Sequence, residues 1–459
     1  MLNIIASLVS PYLTYLPFAA TALLVILVVR RSCAGFVYKH ADEQQPTLAN
    51  KTYILANALS TGAGLSLVEE LALLGAQLIL LHPNPNDARI LQLVTLIRSE
   101  TRNERLYAEQ CDFTSMSSIM AFGENWSKGA RSGAMAEIET RIDGVVFLED
   151  RLRQYGLGVP KRTLKIVRTL QSDSAQDEST VLDTSHASYV STRIAFLKSI
   201  EKQLLKSART APVRIVGLVN PFYATSLPVV GDLDWTHRRW PRWEPWVAEG
   251  QAALSWLAVS QELQKQFDKE TQAGGAGSRV IFLNACEGFT STYIHTMIAK
   301  ATLPVLPIVI AQVVLAPFIW LFMKGAEEGT QTTLACLLGP LNKQSNLPDY
   351  VDERKVESVS DVRRTERSEK MPLLPGRLYR DGKLTRYVPR AVSTEKKSAD
   401  NWQGENSRGC YRQSVQRALL ERERASAQSR LESSTSRYSD QEGAGGTAEE
   451  SERAGDSGG

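Results

Sequence analysis

Two glycines, Gly62 and Gly64, stand between an apolar run, Thr52–Ala56, and an amphipathic stretch, Ser66–Leu74. A strand, a glycine-rich turn and a helix in that order can cradle a dinucleotide. Amides at the helix N-terminus face the pyrophosphate, and glycine lets the backbone approach it. Glycines also simply make turns, so the pair alone is weak. A second cluster interleaves Trp235, Trp240, Trp243 and Trp246 with Arg238, Arg239 and Arg242. Aromatic and basic side chains so mixed suit a nucleic-acid face, a membrane–water interface or a loop packed on the core. The interface is preferred, because the chain also carries two long apolar segments. Cys33, Cys111, Cys286, Cys336 and Cys410 are scattered, form no CxxC and make no ligand cluster with the five histidines. A zinc site or disulfide framework is therefore not expected; reduced thiols facing the cytosol are.

The elements that must position these residues alternate. Thr52–Ala56 reads as a buried strand, Gly75 ends the following helix, and Gln77–Leu81 is the next strand. Further strand candidates are Gly144–Leu148, Arg214–Val219 and Val280–Asn284, with helical stretches between them. One such helix, Ser191–Ser207, carries Ile194, Leu197, Ile200 and Leu204 at helical spacing. Alternating strands and helices predict an α/β fold, a doubly wound parallel sheet with helices on both faces.

The flanks differ from this core. Met1–Val29 is nearly all apolar and uncharged, and is followed by Arg30, Arg31 and Lys39. Its length suffices for about 30 Å of hydrocarbon, and the trailing charges keep the rest of the chain cytosolic. Residues 1–30 are thus expected as a membrane anchor rather than a cleaved signal peptide. A second apolar run, Leu303–Met323, is broken by Pro304, Pro307 and Pro317. Residues 346–392 read as a partly ordered extension, with order signals over Met371–Val388. Residues 393–459, rich in Ser, Glu, Arg and Gly, read as a disordered tail with one short charged helix around Tyr411–Arg424. Nothing in the sequence identifies a protein partner for that tail. The 459 residues exceed one ordinary core of about 100–200 residues. Net charge is only +3, from 53 basic and 50 acidic side chains, which gives no global case for nucleic-acid binding.

The order of these segments resembles the short-chain dehydrogenase/reductase family, in particular its membrane-bound retinol-dehydrogenase-like branch, over about residues 52–340. NALSTGAGLSLVEELALLGAQLILL is similar to the family's TGxxxGxG cofactor turn. Gly62 and Gly64 are kept, Ala58 replaces the first glycine and Asn57 the threonine before it. Asp112 matches the acidic residue that touches the adenine ring. Phe147-Leu148-Glu149-Asp150 replaces the NNAG motif. RIVGLVNPF is similar to the strand that ends at the catalytic serine, which falls near Asn220. EGQAALSWLAVSQEL is similar to YGQSKLANVLFTREL. The shared Gly250, Gln251, Leu254, Glu262 and Leu263 put Glu249 at the catalytic tyrosine and Ala253 at the catalytic lysine. Tyr189 and Arg193 imitate the YxxxK spacing, but they precede the strand that the family's tyrosine follows. NACEGFTST is similar to HPGVVRT, matching Gly288 and Thr292, and FIWLFMKGAEEGTQTTLACLL is similar to FWLFLKSPEEGAQTTLYCAL.

The resemblance implies a Rossmann-type domain over residues 48–345 and NAD or NADP as cofactor, held at Ala58, Gly62, Gly64, Asp112, Gly288 and Thr292. It needs no metal. Because both ends of Leu303–Met323 return to one core, that run is expected as an apolar lid at the bilayer surface. Membrane lipid is then a partner through 1–29 and the lid, and a lipid-like small molecule is the expected ligand type. The family's chemistry uses a phenol whose pKa is lowered by a nearby ammonium. With Glu249 and Ala253 in those places, one reading is a non-catalytic module binding a nucleotide, a lipid or a protein. The other is an active oxidoreductase on a retinoid, sterol or fatty substrate, with Glu249 and Asn220 as divergent catalytic residues. By resemblance the protein belongs at the endoplasmic reticulum or a lipid droplet, facing the cytosol.

Overall fold

The computed structural model describes residues 20–33, 35–38, 48–113, 115–128, 141–148, 186–225, 245–273, 280–291, 294–295, 305–340, 373, 375–381, 383–385 and five positions between 411 and 419. The Trp–Arg cluster before 245, Glu149, Asp150, Thr292 and most of the tail lie outside these residues.

Helix α1 covers residues 20–33. The domain then runs β1 (Thr52–Ala56), α2 (Gly62–Leu73), β2 (Gln77–His82), α3 (Ala88–Thr101), β3 (Leu106–Gln110), α4 (Met116–Lys128) and β4 (Gly144–Phe147). It continues through α5 (His186–Ser199), α6 (Glu201–Ala208), β5 (Val213–Leu218), α7 (Pro245–Ala273), β6 (Val280–Cys286), α8 (Val305–Phe322), α9 (Ala326–Leu338), β7 (Leu378–Arg380) and β8 (Lys383–Leu384). The strand order is β3-β2-β1-β4-β5-β6-β7-β8, parallel from β3 to β7, with β8 antiparallel on the edge. The expected doubly wound parallel sheet is present, and its first six strands have the Rossmann order. Its last two strands come from within 346–392.

Strand residues alternate between two apolar layers because successive side chains leave a strand on opposite faces. Ile54, Ile79, Val145, Phe147, Ile215 and Phe282 face α4, α5 and α7. Leu55, Leu80, Val146, Val216 and Leu283 pack with α2, α3 and α9 on the other side. Gly217 is required where α7 crosses the sheet, because a Cβ there would lie 2.1 Å from Nε1 of the buried Trp256. The helix expected over Ser191–Ser207 begins earlier and divides at Ile200, which serves as the N-cap of α6.

A membrane anchor is expected over residues 1–30. Among the described residues no helix is long and apolar enough to cross a membrane. Most of Met1–Val29 precedes α1 and lies outside the described residues.

Candidate functional site

Strand order alone locates a crevice. The sheet reverses its winding between β1 and β4, and open parallel sheets bind ligands outside the carboxyl ends of their strands at such a switch point. Around it stand the Asn57–Gly64 turn after β1, His82 closing β2, Asp112 after β3, Leu148 after β4, Asn220 after β5 and Glu287–Gly288 after β6.

The turn after β1 is built by local chemistry. Asn57 takes a left-handed conformation, φ 60°, and a 3-10 turn, Ala58–Ser60, follows. Thr61 is extended and caps α2, its Oγ1 accepting from the Gly64 amide at 3.0 Å. That satisfies one of the orphan donors of the first turn. Thr61 was not singled out from the sequence, although a threonine preceding Gly-x-Gly has the N-cap signature. Gly64 also has a packing role. A Cβ there would stand 2.2 Å from the Ala58 carbonyl oxygen and 2.8 Å from Thr61 Oγ1. The glycine is needed for backbone to pack on backbone, whatever the turn binds. Ala58 is fully buried among Leu55, Leu67 and Leu80, so its methyl group is absorbed by the core. Gly62 is half-buried at the helix N-terminus.

The residues after β2 and β3 are structurally engaged. Asn84 N–H donates to His82 Nδ1 at 3.1 Å, which closes a tight turn after β2. The first carboxylate beyond β2, Asp87, caps α3 by accepting from the Arg89 amide at 3.0 Å. Asp112 is half-buried; its amide donates to Ser118 Oγ at 2.9 Å, and its carbonyl accepts from Ser115 N–H at 3.1 Å. These bonds hold the chain between β3 and α4.

Asn220 is 1% exposed, and its side-chain oxygen accepts from Phe222 N–H at 2.8 Å while its carbonyl accepts from Tyr223 N–H at 3.1 Å. It turns the chain after β5. Glu249 lies in the first turns of α7, and its side chain is outside the described residues. Ala253, one helical turn on, is buried in the core beside Leu254, Trp256 and Leu257. Helix α7 is pinned to β6 by Gln264, whose Oε1 accepts from Phe282 N–H at 2.7 Å and whose Nε2 donates to the Val280 carbonyl at 3.0 Å. Asn284 adds a bond to Ser260 Oγ at 2.9 Å. Arg193, whose spacing from Tyr189 only imitates the family's, is itself 2% exposed. Its guanidinium carbon lies 4.8 Å from the Trp256 ring centroid and 5.3 Å from that of Phe147.

Gly288 turns the chain after β6 with φ +80°. Lys324, after α8, donates from Nζ to the Glu287 carbonyl at 3.3 Å and pairs with Asp381. Desolvation pushes the Cys286 thiol up to about 11 and the Cys111 thiol well above its ordinary value. Neither is a ready nucleophile. Among the described residues no group of three or more His, Cys, Asp or Glu could hold a metal ion.

Fold and site together define a Rossmann-type domain with a glycine-bearing turn and a helix N-terminus at the switch point of the sheet. No protein-family model matches the chain. Two curated proteins are similar to it, both described as uncharacterized oxidoreductases. One, from Saccharomyces cerevisiae, is 27% identical over 330 residues, covering 68% of this chain and 73% of that protein. The other, from Schizosaccharomyces pombe, is 22% identical over 324 residues, covering 68% and 76%. Solved structures similar to it include a short-chain oxidoreductase of Pseudomonas aeruginosa with an atypical catalytic centre, at 15% identity, TM-score 0.39, covering 63% of this chain and 91% of that one. Another is the actinorhodin polyketide ketoreductase with NADPH, at 14% identity, TM-score 0.40, covering 63% and 90%. The fold assignment rests on the strand order itself.

Proposed function

We propose that this chain is a short-chain-dehydrogenase-like protein that binds a nicotinamide dinucleotide at the β1/β4 switch point without the family's usual proton-transfer chemistry. The N-terminus of α2, with Gly62 at its opening, would hold the pyrophosphate; His82 and Asp112 would flank the adenosine half. Such a cofactor supplies hydride chemistry when bound. The observation that carries the non-catalytic half is Ala253: a buried methyl group stands where the resemblance places the ammonium. General acid catalysis of this kind contributes about 10²–10⁴-fold. The reading includes membrane attachment facing the cytosol, at the endoplasmic reticulum or a lipid droplet, and an apolar, lipid-like ligand.

A second reading, an active oxidoreductase on a retinoid, sterol or fatty substrate, is favoured by the description of both curated relatives as oxidoreductases. The two separate in one preparation of detergent-solubilised full chain. Fluorescence titration with NADH and NADPH is expected to show binding. Assays with retinoid, sterol and fatty alcohols are expected to show no steady turnover. Turnover that is lost in Glu249→Gln would overturn the non-catalytic reading and make Glu249 the proton donor.

A further inference from the structure

Helices α1 and α8 are apolar, yet the domain covers neither. Leu23, Leu24, Val25, Ile26, Leu27 and Val28 follow one another in α1, and each is 38–62% exposed. In α8, Val309, Ile310, Val313, Val314, Leu315, Phe318, Trp320 and Phe322 are 41–69% exposed, while Ile319 is buried. At 100° per residue these exposed positions spread over about 240° of the helix surface, much wider than a single apolar stripe. A surface helix of a water-soluble domain shows an apolar stripe on one side only; a helix apolar all round belongs in a core or in lipid. Leu303–Met323 carries no charged side chain.

The two ends of the α8 excursion are fastened together. Thr290, just after β6, forms a β-bridge with Lys324, just after α8. Lys324 N–H donates to the Phe289 carbonyl at 3.1 Å, and Ser291 N–H donates to the Lys324 carbonyl at 2.8 Å. The chain therefore leaves and re-enters the domain at one point, which a single crossing of a bilayer forbids. Helix α1 ends at that point too. Arg30 Nη1 donates to the Met323 carbonyl at 3.2 Å, and Nη2 donates to Glu328 Oε1 at 3.0 Å and Oε2 at 3.1 Å. Glu328 in turn accepts from the Gly325 amide at 2.7 Å, at the start of α9. The guanidinium thus joins the last turns of α1 and α8 to the head domain. Arg31 is exposed beside the junction, where a cationic side chain favours a lipid headgroup layer. Lys324 also holds the Glu287 carbonyl, so the junction sits at the carboxyl end of β6, on the crevice side of the sheet.

We infer that α1 and α8 form one lipid-inserted unit, clamped through Arg30 to Met323 and Glu328, that seats the β6 end of the crevice against a bilayer. The partner is a lipid surface. A second copy of the chain would cover such helices on one side and leave the rest in water. The inference deepens the membrane part of the functional reading and is independent of the dinucleotide part.

The test uses full-length chain carrying Cys33→Ser and Cys410→Ser. Single cysteines at Leu27→Cys, Val313→Cys and, on α3 at the other edge of the sheet, Leu91→Cys are labelled with nitrobenzoxadiazole. The labelled proteins are reconstituted in phosphatidylcholine vesicles. Nitroxide-bearing lipids are expected to quench the labels at 27 and 313 and to leave that at 91 bright. Glu328→Arg should diminish quenching at 313, and adding Arg30→Glu should restore it. A label at 313 that stays unquenched on vesicle-bound protein overturns the inference. So does quenching at 313 indifferent to Glu328→Arg, and so does a 313 label shielded only in a dimer. NADH titration of the same samples separates the two ideas: binding retained without insertion sinks this inference alone, and insertion without binding sinks the dinucleotide reading alone.

Discussion

Replacing Gly64 by alanine discriminates between a glycine kept for a ligand and one kept for packing. The added Cβ would lie 2.2 Å from a backbone oxygen, that of Ala58, which the core holds fixed. An ordinary contact would need roughly 1 Å more, and overpacking of this sort costs about 1–3 kcal/mol. The same Cβ lies 2.8 Å from Thr61 Oγ1 and disturbs a cap worth about 1 kcal/mol. Alanine returns up to about 1 kcal/mol of helix propensity. The net loss is about 2 kcal/mol, or a Tm lowered by about 4–8 °C for a domain of this size. Differential scanning calorimetry without nucleotide reads it directly. An unchanged Tm with weakened NADH binding would refute the packing argument and return Gly64 to the pyrophosphate alone.

The remaining predictions concern core and thiols. Gly217→Ala drives a methyl group onto Trp256, 2.1 Å from Nε1, and should destabilise by about 1–3 kcal/mol in urea unfolding; a loss under about 0.5 kcal/mol would mean that Trp256 moves freely. At pH 8 an aromatic disulfide reagent should modify the partly exposed Cys33, while Cys111, Cys286 and Cys336 react only after denaturation. Burial raises the last two thiols from 9.0 to about 11 and about 12, so the folded state keeps their protons after the unfolded chain has lost its own. Stability should therefore hold below about pH 9 and fall between pH 9 and 12; a flat profile there would show those thiols to be solvated.

The sheet was legible because its central strands are short runs of continuous apolar residues, buried on both faces in a parallel arrangement. Thr52–Ala56, Gln77–His82 and Val280–Cys286 announce themselves this way whatever surrounds them. Strand β7 does not. Three residues, Leu378–Arg380, carry no periodicity of their own, and they become a strand only by pairing with β6. The division of α5 from α6 at Ile200 was equally hidden, since apolar spacing runs through it unbroken.

The site divides along the same line. Residue types and order pointed to the turn after β1 and, through the resemblance, set Ala253 at the position of the family's lysine, because those readings depend on which residue stands where. What Gly64 touches, that Asn220 spends its amide oxygen on the Phe222 amide, and that Arg193 is enclosed by Trp256 and Phe147 depend on atoms from distant segments. Arg30 and Glu328 are 298 residues apart. The sequence showed two apolar runs with charges at their ends. Only the folded chain brings those ends to one point, because the sheet fixes where β6 stops and α9 begins.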